Sequence, residues 1–220
     1  MLRFDADKHV YWWGAYPVPS VTQILGDNGW ISDFCKSKTH ADKGTDIHRM
    51  VELAVKLKSF AHYDAYGSLK VEELDRLRST YPEQYRQWQE FLQDTGFEVY
   101  SSEVMSHGSI SLYDGSEDFD YWPDWAGTRD LSGWMPSIGK WAIVDMKTGS
   151  NAPPHTNLQT AAYTLAEHPL DYREVSRWSL RLDGKPGKKY KLKEYHDPED
   201  FRKWIEEVKR WQRNQSQIHQ

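Results

Sequence analysis

A chain of 220 residues with eleven Trp and thirteen Tyr has material for one sizeable core, and no apolar run approaches the ~20 residues that span a bilayer. The only cysteine, Cys35, excludes an intramolecular disulfide and any zinc or iron–sulfur site built from several cysteines. The net charge of −5 does not favour nucleic acid, but its distribution is uneven: residues 173–213 carry thirteen Lys/Arg against eight Asp/Glu, and the first 172 carry fifteen against twenty-five, which leaves room for a basic stripe beside a carboxylate cluster.

In chain order, residues 3–16 read as a β-hairpin around "DADKH", ended by Pro17 and Pro19. The opening "MLRFDADKHVYWW" lacks the apolar segment of a secretory signal, so the expected setting is the cytoplasm (a host's, if phage-encoded). "SVTQILG" follows as a helix with Ser20 as N-cap and Gly26 as stop. A short helix is expected at 31–38 and a longer one at 41–58, with Ile47, Val51, Ala54 and Leu57 at helical spacing. Two more helices fall at 71–79 and 83–93, the second behind Pro82.

The pattern then turns to strands. "FEVYSSEVM" is the first, residues 114–124 form an acidic, solvated loop, and "WAGTRDLSGWM" and "IGKWAIVDMK" are joined by a turn at "PSIGK". A helix at 156–167 follows the breaker "NAPPH". "SRWSLRL" and "KKYKLKEY" make a second hairpin around "DGKPG", and a last helix runs over 197–214 with Pro198 in its first turn. This order predicts an α/β fold, a central mixed sheet flanked by helices. One domain is expected over 1–220: N-terminal hairpin and helices (1–95), a core (96–170), and a basic hairpin with the C-terminal helix (171–220).

In "WAIVDMKTGS", Asp145 and Lys147 share strand parity and Met146 turns the other way. Taken alone, such a pair is ordinarily a solvated strand end. Asp130 lies fifteen residues upstream, enough for an antiparallel hairpin that sets the two carboxylates across from each other. Carboxylates that close repel unless a proton or a metal ion lies between them. Mg²⁺ or Mn²⁺ takes such oxygens, with the Met146 carbonyl as a further ligand. Lys147 would orient a metal-activated water, or act as its base, for phosphodiester hydrolysis.

Two helical pairs join this set: Gly44 and His48, and Gln159 and Tyr163, each four residues apart on one helix face. The order G-x-x-x-H, acidic strand residue, G-x-x-D, D-x-K, Q-x-x-x-Y resembles the PD-(D/E)XK nuclease superfamily, and within it the RecB-like exonuclease branch, over residues 20–163. "PSVTQIL" is similar to a segment of viral and mitochondrial members. The resemblance implies a restriction-endonuclease-like core, Asp130 and Asp145 as metal-ligating carboxylates, Lys147 as catalytic lysine and His48 as a further ligand. It also implies that Gln159 and Tyr163 shape the site and touch DNA, with Glu103 in "SSEVM" at the preceding acidic position. Several relatives carry an iron–sulfur cluster on four cysteines, and a single cysteine excludes that branch. Arg129 has opposite parity to Asp130, free to pair with a carboxylate or reach a phosphate.

Candidate DNA contacts are Ser20 and Thr22 at a helix N-terminus, and Lys188, Lys189 and Lys191 beside Tyr190 in "GKPGKKYKLK". Trp12, Trp13, Trp122 and Trp125 are candidates for base stacking or for packing. The expectation is a metal-dependent DNA exonuclease acting on single strands or duplex ends, with phage or host recombination proteins as partners. The competing expectations are a structure-specific endonuclease on the same fold and a degenerate DNA-binding module.

Overall fold

The computed structural model describes residues 1–31, 38–59, 67–114, 122–149 and 153–218. Cys35, most of the helix expected at 31–38 and most of the acidic loop lie outside them.

The N-terminus forms a three-stranded antiparallel sheet in the order β1 (Leu2–Asp5), β2 (Val10–Trp13), β3 (Tyr16–Val18). Pro17 does not break it. It sits in β3 opposite Trp12, on an edge strand where a missing N–H is tolerated. The Ala126 N–H donates to the Pro19 carbonyl at 2.9 Å and ties this sheet to the main one. Helix α1 (Val21–Asp27) begins as expected, with Ser20 Oγ accepting from the Gln23 N–H at 2.9 Å. Its end is later than expected. Gly26 is helical, and the chain leaves at Gly29, whose φ of +86° suits a residue without a Cβ.

Helices α2 (Lys38–Ser59), α3 (Gly67–Thr80) and α4 (Pro82–Thr95) follow. Gly96 ends α4 in the left-handed conformation, its N–H on the Leu92 carbonyl at 3.0 Å. The central sheet has the order β4 (Glu98–Gly108), β5 (Trp125–Met135), β6 (Lys140–Lys147), β7 (Ser176–Arg181), β8 (Lys191–Glu194). It is mixed. All neighbours are antiparallel except β6 and β7, which are parallel and joined through α6 (Thr156–Glu167). The chain closes with α7 (Glu199–Ile218).

Two apolar layers sandwich this sheet. Ile47, Met50 and Leu53 of α2 and Trp88 and Phe91 of α4 pack with Leu131, Val144 and Met146. Leu158 and Ala161 of α6, Ile24 of α1 and Trp204 of α7 pack with Ile143 and Trp125. Trp125 is therefore a core residue: it meets Trp204 edge-on at 5.6 Å and donates to the Ala162 carbonyl at 3.3 Å. Asp124 is no solvated loop residue either. It accepts from the Ile110 N–H at 2.7 Å, at the start of the short helix α5 (Ile110–Asp114), which was not anticipated.

Candidate metal and nucleic-acid site

The site forms where the central sheet forks. Strands β5 and β6 are paired as far as Leu131 opposite Val144, and Asp130 and Asp145 come one residue further on. Beyond that point β5 stays with β4, down to Trp125 opposite Gly108, while β6 stays with β7, up to Lys147 opposite Arg181. A carboxylate bridges the opening: the Met146 N–H donates to Asp130 Oδ2 at 2.5 Å. Met146 thus contributes its amide, and its side chain packs in the core, as its parity predicts.

Adjacent residues of β5 leave the fork on opposite sides. Arg129 reaches Glu167 of α6 and Asp130 reaches His48 of α2. His48 Nδ1 lies 3.3 Å from Asp130 Oδ1 and 3.1 Å from Glu103 Oε1. The ligand atoms of His48, Glu103 and Asp130 lie within 4.8 Å of one another. Glu103 falls between the pairs Ser102–Leu131 and Val104–Arg129, which places it at the level of Asp130. Its φ is +50°, uncommon for a side chain with a Cβ and a form of backbone strain that concentrates at functional sites.

A second group sits beside the first. Lys147 Nζ is 2.7 Å from Asp145 Oδ2 and donates to Gln159 Oε1 at 3.1 Å, and Gln159 Nε2 donates to Tyr163 Oη at 3.3 Å. The shared parity of Asp145 and Lys147 is realised in that contact. The i, i+4 spacing of Gln159 and Tyr163 makes one relay on α6. A glycine lets α6 approach β5: a Cβ at Gly127 would stand 2.7 Å from the Tyr163 ring, whereas one at Gly44 would meet Thr148 Oγ1 at an ordinary 3.5 Å.

The charges show what the cluster lacks. Burial disfavours a charged His48, yet Asp130 and Glu103 outweigh it and raise its pKa to about 10. Burial raises Glu103 against the hydrogen bond from His48, while Asp130, also buried, is held low by His48, Lys147 and the Met146 amide. Asp145 is pushed up to about 6 by burial, with Lys147 opposing and Asp130 adding to the rise. Burial works against a charged Lys147, but Asp145 and Asp130 hold it above its ordinary value. The His48 ring thus stands between the Glu103 and Asp130 carboxylates, which favour its charged form.

The structure thus gathers His48, Glu103 and Asp130 in one cluster and Asp145, Lys147, Gln159 and Tyr163 in the adjoining relay. Ser20 uses its hydroxyl to cap α1 and pairs with Thr22 Oγ1 at 3.1 Å. Lys191 faces Arg181, which faces Lys147, so it stands two strands across from the site, roughly 10 Å. Lys188 and Lys189 are engaged with α4: Arg86 and Gln87 donate to the Lys188 carbonyl at 2.8 and 3.0 Å, and Lys189 pairs with Asp94 at 3.2 Å. Tyr11 was not anticipated. Its hydroxyl lies 2.8 Å from Thr128 Oγ1, and its pKa is raised by burial and then by the nearby Glu103 charge. Only the aromatic patterning of the first hairpin marks it in the sequence.

Residues 32–218 match a family model described as the PD-(D/E)XK nuclease superfamily. Among solved structures the chain is similar to a crystal structure from Eubacterium rectale described as a putative exonuclease, at 13% identity and a TM-score of 0.40, covering 84% of this chain and 68% of that one. No curated protein matches the sequence.

Proposed function

The chain belongs to the PD-(D/E)XK nuclease superfamily, and on that premise we propose that it is a divalent-metal-dependent deoxyribonuclease, acting as an exonuclease of the RecB-like branch within a single domain spanning residues 1–220. The observation that carries this is the His48–Glu103–Asp130 cluster set beside the Asp145–Lys147 pair at the fork of the sheet. Mg²⁺ or Mn²⁺ fits the donor set of one imidazole nitrogen and two carboxylate oxygens, with Asp145 as the nearest further carboxylate. Such an ion, when bound, supplies Lewis-acid polarisation to a phosphodiester.

The remaining roles belong to the chain itself. His48 releases the proton that it holds in the metal-free protein. Lys147, kept cationic by Asp145 and Asp130 and aimed by Gln159, supports the positioning role over that of a base. Its ammonium orients water and neutralises charge on the phosphate. Tyr163 fixes Gln159, and Lys191, on the edge strand two strands across from Lys147, is assigned to the DNA backbone.

The test is degradation of end-labelled linear single- and double-stranded DNA, and of closed circular single strands, with Mg²⁺, Mn²⁺ or EDTA. Metal-dependent loss of linear DNA with intact circles is expected. Cleaved circles would turn the reading to an endonuclease, EDTA-resistant cleavage would remove the metal, and binding without cleavage in Mn²⁺ would remove the enzyme.

A further inference from the structure

A row of ring side chains runs outward from the metal cluster, and no part of the hydrolytic site uses it. Two strands lead to it. On β4, Glu103, Met105 and His107 share parity, and His107 stands four residues, about 14 Å, beyond Glu103. On β2, Tyr11 reaches Thr128, the β5 partner of Met105, and Trp13 is two residues further. The two paths meet where Trp13 touches His107, ring centroids 4.7 Å apart. Trp13 is opposite Tyr16 across β2 and β3, and Tyr16 touches Trp122 at 4.7 Å. The row is thus Tyr11, Trp13 with His107, Tyr16 with Trp122.

Its outer members are open to solvent: Tyr16 is 57% exposed and Trp122 49%. Large apolar side chains gathered on one surface in this way mark a binding site more often than chance exposure. Both ring pairs are edge-on, at interplanar angles of 63° and 71°. An edge-on pair sets the edge of one ring on a face of the other, so each pair leaves one ring with both faces free of its partner. Burial, and then the positive N-terminus, lower the His107 pKa, so that ring is neutral at physiological pH. The N-terminal ammonium lies beside the row, next to Trp13, and the rings themselves are flat and uncharged. Such faces suit bases and not phosphates.

We infer that this row is a base-stacking platform for a single DNA strand, which holds the unpaired nucleotides of the substrate on the path into the fork. The inference rests on the DNA nuclease reading. It adds to it a preference for single-stranded or frayed ends and assigns Tyr16, Trp122 and Trp13 as the residues that grip the strand. Stacking is tolerant of sequence, so the platform serves an enzyme that takes any end.

The experiment compares a fluorescein-labelled single-stranded oligonucleotide with an abasic strand of equal length, by anisotropy in EDTA. The protein binds the base-bearing strand about tenfold more tightly. The double variant Tyr16→Ala/Trp122→Ala binds both strands equally, at the affinity of the abasic one, and Tyr16→Phe, which keeps the ring, retains the preference. Both sites are exposed, and a thermal melt checks that the variants fold. Equal binding of the two strands by the unaltered protein, or a preference that survives the double substitution, overturns the platform. Cleavage of the base-bearing strand with Mn²⁺ is scored separately: its absence removes the nuclease reading, whereas cleavage with ring-independent binding removes the platform alone.

Discussion

Arg129 and Asp130 are neighbours on one strand, both buried, and they enter two polar clusters of opposite character. The Arg129 cluster is closed. Its guanidinium Nε lies 2.5 Å from Glu167 Oε2, and its NH2 group donates to Glu167 Oε1 at 2.9 Å, to Ser101 Oγ at 2.7 Å and to Ser132 Oγ at 3.1 Å. One cation faces one anion, and two hydroxyls share the Nη2 donors. The Asp130 cluster is open. Three carboxylates (Glu103, Asp130, Asp145) face His48 and Lys147, and the balance is reached only because His48 holds a proton and the Glu103 and Asp145 pKa values rise. A structural polar network satisfies its own charges, whereas a metal site leaves a deficit of positive charge for its ligand to fill.

Breaking the two clusters should therefore give different losses. Lys147→Ala or Asp130→Ala lowers cleavage by about 10³-fold, the range of a lost positioned catalytic group, while the protein stays folded by circular dichroism. Full activity in either variant would remove the fork as the active site. Arg129→Met acts on the fold instead. It leaves the partly buried Glu167 carboxylate with the Ser132 hydroxyl in place of a cation and costs about 3 kcal/mol in urea unfolding. Arg129→Met/Glu167→Leu recovers most of that loss, because apolar groups replace both charges. A double variant as unstable as the single one would show that the pair is not closed upon itself.

The next test sharpens the open cluster. The geometry groups Glu103 with His48 and Asp130, whereas the motif resemblance gives Asp145 the ligand role. Glu103→Gln should weaken Mn²⁺ binding by calorimetry roughly 10–100-fold, and Asp145→Asn should weaken it less, since Asp145 is already matched by Lys147 at 2.7 Å. The reverse order would return the ligand role to Asp145.

Proton linkage gives a smaller effect with a definite sign. His48 has its pKa raised to about 10 in the folded, metal-free protein, against its ordinary 6.5. The native state then holds a proton that the unfolded chain loses, so the His48 contribution is complete below pH 6.5 and disappears as pH rises through about 10. Asp145, raised from 3.8 to about 6, acts in the same direction at lower pH. Stability in EDTA should fall from pH 7 to 10, and His48→Asn should flatten that slope. A wild-type slope unchanged by the substitution would exclude the bridging proton.

Much of this was legible in the sequence because it depends on periodicity. Strand parity placed Asp145 and Lys147 together, and helical spacing placed Gln159 beside Tyr163. The mixed sheet followed from the order of its elements. What was not legible depends on where pairing stops and what lies across the fold. No local signal gives Glu103 a φ of +50°, since glutamate has no preference for that region. The fork between β5 and β6 keeps Asp130 and Asp145 opposed in register, as their spacing suggests, but turns Asp130 to His48 of α2 and Asp145 to Lys147. Tyr11 reaches Thr128 over 117 residues, beyond any local pattern. Pro17 looked like a breaker because its edge position is a property of the whole sheet.

Ser20 has the smallest expected effect and the sharpest division of roles. Its hydroxyl accepts from the Gln23 N–H at 2.9 Å, so Ser20→Ala removes a cap and costs about 1 kcal/mol. That loss alone does not separate capping from a phosphate contact, because alanine ends both. Aspartate separates them, since it caps a helix as well as serine and adds a negative charge. If Ser20 only caps α1, Ser20→Asp keeps both stability and DNA affinity. If a phosphate also rests there, Ser20→Asp keeps stability and weakens DNA binding most strongly at low salt, where the repulsion is least screened. Thr22 Oγ1, 3.1 Å from the Ser20 hydroxyl, is the group that would share that phosphate, and Thr22→Val should then weaken binding without touching the cap.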